Sequence, residues 1–407
     1  NLILKVNMTY DVIIVGAGPI GGYLARKMAE RKISVLMLEE HSQIGRPFQC
    51  AGLVSPQAMD SVNLHNTVLS SIWGARLYSP SGISVEIGNP NQVRTWSVCR
   101  KLFDEAIVER ALNSGCHISL ESKPTKAINR GDFVELEYIV KGKLKTVKTK
   151  LICGADGAHS WVRRYFKMGR PRELMVGFQI EVTGYNGKEG VLDVFTGSEI
   201  SPGFFAWVIP SGETSRIGMW SKGELLNGES CEYYLNSLMN SEKWTEKFNN
   251  CNEVGRFVGP IPAGMLKNVT SDRVVLFGDA AGLCKPTTGG GIGPGFKQIE
   301  LIIDQLCELI HKNETDAINL KLINEKFDSL RKEQRRARAL RDAFLTNSSD
   351  EELDENFLIW SKPEVIELIN EVGEIENPIP LGLKMIREIP DFRKVAGKAM
   401  KAIFWGN

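Results

Sequence analysis

Apolar and polar positions change period along this chain, and each period predicts an element. Asp11-Val12-Ile13-Ile14-Val15 is an apolar run ending at glycines, the pattern of a strand buried on both faces in a parallel sheet. Tyr23-Leu24-Ala25-Arg26-Lys27-Met28-Ala29 follows a helical period, and Ile33 to Leu38 returns to an apolar run that ends in Glu39. Together they predict a strand–helix–strand unit. Lys150-Leu151-Ile152-Cys153 and Arg273-Val274-Val275-Leu276-Phe277 read as further buried strands, each leading into glycine. Alternation of period two predicts half-buried strands at Ala75 to Tyr78, Ser84 to Ile87, Gly190 to Phe195 and Phe204 to Val208. A hairpin is predicted at Phe133 to Val140 and Leu144 to Thr149, around Lys141-Gly142-Lys143. Helices are predicted from Cys99 to Leu112, from about Cys231 to Asn240, and throughout the chain beyond Gly295.

This order predicts an α/β fold built from discontinuous pieces. Residues 8–75, 96–172 and 271–310 are expected to form a Rossmann-like, mostly parallel nucleotide lobe. Residues 76–95 and 173–270 are expected to form an inserted lobe with a mixed or antiparallel sheet, and 311–407 a helical region. A length of 407 residues exceeds what one hydrophobic core usually spans, so two lobes are expected.

The first turn carries the chemistry. Gly16-Ala17-Gly18-Pro19-Ile20-Gly21 follows the first strand and opens the first helix. Gly16 permits the tight turn, Gly18 lets backbone approach a pyrophosphate, and Gly21 lets the helix pack close to the sheet. The helix N-terminus presents unpaired N–H groups to phosphate, and Glu39 lies where a carboxylate accepts from ribose hydroxyls. A dinucleotide site is the reading.

Composition narrows the rest. Hydrophobic content of 43% and charged content of 24% describe an ordinary globular chain, and a formal charge of +1 gives no field favouring nucleic acid. No apolar run approaches the roughly 20 residues of a membrane helix, and Met8 reads as a start preceded by an extension, so a cytoplasmic protein is expected. Eight cysteines show no CxxC pair and five histidines no paired spacing, so no metal site is expected.

Two more segments carry a family resemblance. Gly154-Ala155-Asp156-Gly157, with Arg163 beyond it, resembles the DG motif of class A flavoprotein monooxygenases and their relatives. Gly278-Asp279-Ala280-Ala281, followed by Pro286 and Gly289-Gly290-Gly291, resembles their GD motif. Together with the first turn they match the p-hydroxybenzoate-hydroxylase-like fold over roughly residues 9 to 310. The resemblance implies FAD as cofactor. It implies that Asp156 and Gly157 organise the pyrophosphate region, that Asp279 contacts ribitol or pyrophosphate oxygens, and that Gly290 and Gly291 approach the flavin ring.

Within that fold, Pro202-Gly203-Phe204-Phe205-Ala206-Trp207-Val208-Ile209-Pro210 is similar to the PxxYxWxFP signature of the geranylgeranyl reductase family, with Phe205 for Tyr and Ile209 for Phe. Phe205, Trp207 and Ile209 share one face of a strand and are expected to wall a site for an isoprenoid chain. Cys50, in Cys50-Ala51-Gly52-Leu53-Val54-Ser55, resembles the family's PxxCGxGLS loop, with Ala51 for Gly. The resemblance makes Cys50 a candidate for relaying the proton, and Arg100, in the family's RxxFD segment, a cofactor contact. An inert thiol and an ordinary helix-start arginine are the plain alternatives.

The resemblance implies saturation of geranylgeranyl double bonds, in archaeal ether lipids such as digeranylgeranylglycerophospholipid. It also implies a reduced donor, either a ferredoxin-like protein or NAD(P)H. A flavin-dependent halogenase or aromatic monooxygenase of the same fold is the alternative, although His41 to Ser55 holds no lysine of the kind halogenases use. A non-catalytic escort protein for prenyl groups is the alternative of another class. Arg331, Lys332, Arg335, Arg336, Arg338 and Arg341, and a basic aromatic tail from Ile379, fit either a solvated helix face, the commoner case, or peripheral contact with an anionic membrane.

Overall fold

The computed structural model describes residues 8–47, 50–372 and 379–392. Arg393, Lys394, Lys398, Lys401, Phe404 and Trp405, of the basic aromatic tail read above, lie outside them.

The first sheet has the order Thr270–Ser271, Val274–Leu276, Lys143–Gly154, Met8–Val15, Val35–Leu38, His117–Ser119. Its central strands are parallel, and Met8–Val15 sits between Lys143–Gly154 and Val35–Leu38. Val12, Ile13 and Ile14 are completely buried, as their unbroken apolar run requires. The helix Pro19–Ala29 packs beside the helix Arg100–Asn113. The predicted hairpin arm and the predicted buried strand prove to be one continuous strand, Lys143–Gly154. Its first half is exposed and pairs with Val134–Val140, and its last four residues are buried between parallel neighbours. The sequence changes character because the surroundings change.

The second sheet has the order Asn252–Ala263, Glu173–Thr183, Thr214–Lys222, Phe205–Ser211, Val191–Thr196, Gly74–Tyr78, Ser84–Gly88. All pairs are antiparallel except Val191–Thr196 with Gly74–Tyr78. Phe178, Ile180, Ala206, Val208, Ile217 and Met219 share a buried cluster with Leu235 and Leu238 of the helix Cys231–Met239. Residues at the alternate positions point the other way, toward a large cavity.

Two boundaries differ from expectation. Gly74 and Ala75 belong to the second sheet, and Thr270 belongs to the first. A third, small sheet of Leu53–Val54, Thr95–Val98 and Val68–Ile72 escapes the periodicity, because two- to five-residue strands hold too few alternations to register.

The C-terminal part is helical. Asp328–Arg341 passes into a π-helical turn, Asp342–Thr346, and is followed by Asp350–Trp360, Pro363–Val372 and Ile379–Glu388. Within its basic cluster Lys332 and Arg335 are exposed. Arg331, Arg338 and Arg341 are buried, and Arg331 donates to the carbonyl oxygens of Leu266 and Asn324. Among the described residues no helix is long and apolar enough to cross a membrane.

Candidate active site

The two larger sheets and the C-terminal helices enclose a cavity of about 1210 Å³. Such a volume exceeds the ~300–1,000 Å³ of a typical single-ligand pocket. All three glycine-rich segments line it, and so do Phe205, Trp207 and Ile209 of the second sheet.

The glycine segments are built into one another. Gly16 has φ +96°, and a Cβ there would fall 2.3 Å from the Ala155 oxygen, so the first turn and the Asp156 loop can meet only because this residue is glycine. At Gly21 a Cβ would lie 1.9 Å from the Gly16 oxygen, which is the close helix–sheet approach expected of it. At Gly18 and Gly157 a Cβ would meet nothing within 4 Å, because both face the open cradle. Gly18 is the N-cap of Pro19–Ala29, so the helix N-terminus faces the same space. An anionic diphosphate fits there, because the backbone comes bare to the cavity and the dipole favours negative charge.

Glu39 is buried beside this turn. One of its carboxylate oxygens accepts from the Ala17 N–H at 3.0 Å, and the other from the His41 N–H at 3.0 Å. Asp156 is committed to its own loop, accepting from Ser160 Oγ at 2.6 Å and the Val162 N–H at 3.0 Å, while burial pushes its carboxyl up. Arg163 then ties this loop to the third segment, donating to the Ala280 oxygen at 3.0 Å and the Ala158 oxygen at 2.6 Å.

Asp279 follows the strand Val274–Leu276, and burial pushes its carboxyl up although Cys284 Sγ donates to it at 3.1 Å. A Cβ at Gly291 would stand 2.6 Å from Asp279 Oδ1, so the N-terminus of the helix Ile292–Glu300 is drawn against that carboxylate. Gly290 lines the cavity just before it.

Cys50 also lines the cavity, and its Sγ accepts from the Gly52 N–H at 3.3 Å. Arg100 is the first residue of its helix and forms a two-point pair with Asp104, Nε–Oδ1 2.9 Å and Nη2–Oδ2 2.7 Å. Burial opposes its charge, but Asp104 and the neighbouring Cys50 outweigh this and push the guanidinium above its usual value. A permanent cation therefore stands beside the Cys50 sulfur.

Sequence reasoning missed three residues here. Arg216 is 1% exposed, and its Nη1 donates to the Ala51 oxygen at 2.8 Å and the Val98 oxygen at 3.2 Å. It reaches from the second sheet and clasps the Cys50 loop. Gln179 and Gly218 belong to the cavity face of the same sheet, beside Trp207. A legible signal existed: Gly177, Gln179 and Glu181 alternate with Phe178, Ile180 and Val182, so one face of that strand is not apolar core.

The FAD binding domain family matches residues 9–317. The chain belongs to that family. FAD is therefore its cofactor, and the bare backbone at Gly18 and Gly157 suits that molecule's diphosphate. This flavoprotein is 28% identical to a digeranylgeranylglycerophospholipid reductase of Methanosarcina acetivorans, over 78% of this chain and 80% of that one. It is 26% identical to digeranylgeranylglycerophospholipid reductase 2 of Methanopyrus kandleri, over 97% of this chain and 100% of that one. A solved geranylgeranyl bacteriochlorophyll reductase-like protein of Thermoplasma acidophilum superposes with a TM-score of 0.85, covering 96% of this chain and 99% of that one at 21% identity. That last likeness is one of fold.

Proposed function

We propose that this flavoprotein is a reductase that saturates the isoprenoid double bonds of geranylgeranyl groups, with digeranylgeranylglycerophospholipid-type ether lipids as its substrate class. The observation that carries this reading is the continuity of one cavity from the glycine cradle to an apolar sheet face. Each buried methylene contributes ~0.8 kcal/mol, so a long polyprenyl chain needs few polar contacts to be held there. The names of the relatives agree with that substrate class.

Gly16, Gly18, Gly21, Glu39, Asp156, Gly157, Asp279, Gly290 and Gly291 hold the cofactor, with Arg100 near its reactive end. Reduced FAD, when bound, supplies hydride. Phe205, Trp207 and Ile209 hold the prenyl chain and keep water from the reacting carbons. An isolated alkene accepts hydride poorly, so proton delivery must be well advanced, and Cys50 Sγ is the group on the cavity wall that holds the proton. Arg216 holds that loop at the Ala51 oxygen, and Arg100 stands beside the Cys50 sulfur.

The nucleotide lobe comprises 8–75, 96–172 and 271–310, and the substrate lobe 76–95 and 173–270, adjusted at Gly74 and Thr270 as above. A ferredoxin-like protein or NAD(P)H supplies the electrons, in the cytoplasm or at its membrane face. The test is anaerobic mixing of dithionite-reduced protein with geranylgeranylated ether lipid. Mass spectrometry should show one H2 gained per bond, and recovery of unaltered lipid defeats the reading.

A further inference from the structure

We propose that Gln179 is a polar anchor that donates a hydrogen bond from Nε2 to the uncharged oxygen at the head of the prenyl chain, and so fixes the chain's register along the cavity. This rests on the prenyl-reductase reading above.

The observation is a buried carboxamide with one end held and one end free. Gln179 is 2% exposed and lines the cavity. Trp207 Nε1 lies 3.2 Å from Gln179 Oε1. An indole N–H only donates, so the carboxamide must turn its oxygen to Trp207 and its two N–H donors away. Among the described residues, Gln179 Nε2 has no hydrogen-bond partner.

This arrangement is specified by register. Gln179 and Trp207 are both paired to Gly218, one from each side. A Cβ on Gly218 would stand 2.3 Å from Trp207 Cζ2, so glycine is what lets the indole lie across that strand and reach the amide. The same cross-strand row continues through Val194 and Leu77 on one side and Phe257 on the other, and all of them line the cavity. Gln179 is its one hydrogen-bond donor facing the void.

Of the neighbouring polar groups of this face, Trp220 Nε1 is buried without a partner among the described residues and so does not reach the void, and Thr196, Glu181 and Arg216 are engaged elsewhere. Thr196 Oγ1 donates to the Tyr78 oxygen at 2.9 Å, Glu181 accepts from Thr214 at 2.6 Å, and Arg216 holds the Cys50 loop. Gln179 Nε2 is open to the cavity, so when an apolar chain fills that space and excludes water the N–H needs an acceptor that arrives with the ligand. A prenyl hydrocarbon has no acceptor along its length. Its first oxygen, an ether or alcohol at the head, is the atom that meets this donor.

The experiment uses the dithionite-reduced holoenzyme and two probes, a geranylgeranyl glyceryl ether and the matching tetraene hydrocarbon without oxygen. The expected wild-type preference in kcat/KM for the ether is roughly tenfold, the worth of one neutral hydrogen bond at its upper end. In Gln179→Leu that ratio should fall toward one, and the first bond reduced should spread over several positions. Gln179→Met, closer in shape, serves if the leucine variant does not fold. A ratio and first position unchanged in either variant overturn the anchor. A wild-type ratio near one, with both probes reduced, overturns it while leaving the reductase reading intact. A shifted flavin spectrum with an unchanged ratio overturns it by placing the amide against the cofactor. Reduction of neither probe by the wild type overturns the reductase reading and the anchor with it.

Discussion

Arg341 and Glu173 form a buried two-point ion pair, Nη2–Oε1 2.8 Å and Nη1–Oε2 3.1 Å, that joins the last turn of the helix Asp328–Arg341 to the start of the strand Glu173–Thr183. Arg341 Nη1 also donates to the Pro286 oxygen at 3.0 Å, in the loop before Gly289-Gly290-Gly291. One guanidinium thus connects the C-terminal helices, the substrate sheet and the cofactor loop. Lys222 Nζ stands 2.7 Å from the same carboxylate.

Removing either partner breaks the two-point contact but leaves a second one, Lys222 at Glu173 and Asp342 at Arg341. Arg341→Met or Glu173→Gln is expected to lower stability by about 1.5–3 kcal/mol, the worth of hydrogen bonds to charged groups, measured by urea unfolding. Glu173→Gln should be the worse of the two, because both Arg341 and Lys222 lose a partner, and among the described residues only Arg341 keeps another, in Asp342. Glu173→Leu combined with Arg341→Met and Lys222→Met should recover part of the loss, since a packed apolar cluster then replaces all three charges. Equal loss in the triple variant would mean that the cluster is not the unit of stability here.

The same pair sets a pH dependence. Burial raises the Glu173 carboxyl, but hydrogen bonds and charge from Arg341 and Lys222 outweigh it and hold it below the ordinary 4.5. A depressed folded-state value means the unfolded chain binds the proton first as pH falls. The stabilisation is therefore complete above the unfolded value and is lost as pH drops below it, through the lower folded one. Stability measured against pH should show a shallower acid-side fall in Glu173→Gln than in the wild type.

Gly16 and Gly18 predict opposite failures from similar substitutions. Gly16→Ala places a Cβ 2.3 Å from the Ala155 oxygen at φ +96°, so the strain, about 1–3 kcal/mol for such a backbone, falls on the fold itself. A Cβ at Gly18 meets no protein atom within 4 Å, so Gly18→Val puts its bulk into the cradle that the cofactor needs. The first variant should melt earlier. The second should melt near the apoprotein and purify with little visible flavin absorbance.

Much of this was legible because burial and glycine leave marks in sequence. Val12 to Val15 and Val274 to Leu276 are apolar on both faces since they lie inside a parallel sheet, and Gly16 and Gly21 mark backbone contacts no other residue allows. The alternation of Phe205, Trp207 and Ile209 placed them on one face, but which face met a cavity depends on strands far away in the chain. Arg216 was illegible for that reason: its acceptors, Ala51 and Val98, lie more than a hundred residues away. The burial of three arginines of Asp328–Arg341 was illegible because charge in sequence reads as solvent exposure, whereas carbonyl oxygens and Glu173 take Arg331 and Arg341 into the interior.

Gly218 offers a way to disturb the substrate wall without touching the cofactor cradle. Gly218→Ala brings its Cβ to 2.3 Å from Trp207 Cζ2, which forces the indole off the strand and breaks its bond to Gln179. Flavin content should stay at the wild-type level. KM for a prenyl lipid should rise roughly tenfold, the order expected when shape and one hydrogen bond are lost together. Loss of flavin with unchanged KM would place Trp207 on the cofactor side instead.

Cys50 and Arg216 separate proton delivery from loop positioning. Cys50→Ala removes the group to which we assign proton delivery, so on that proposal kcat should fall by about 10²–10⁴ while flavin content and KM stay near wild type. Arg216→Lys keeps the charge but not the forked reach to Ala51 and Val98, so the loop shifts with the thiol still present. Its kcat loss should be smaller, and Cys50→Ala added to it should cost less than it does in the wild type, because a displaced thiol has less left to lose. Stopped-flow reoxidation of reduced flavin by prenyl lipid reads both effects on the chemical step. Full additivity of the two substitutions would show that Arg216 acts on something other than the Cys50 loop.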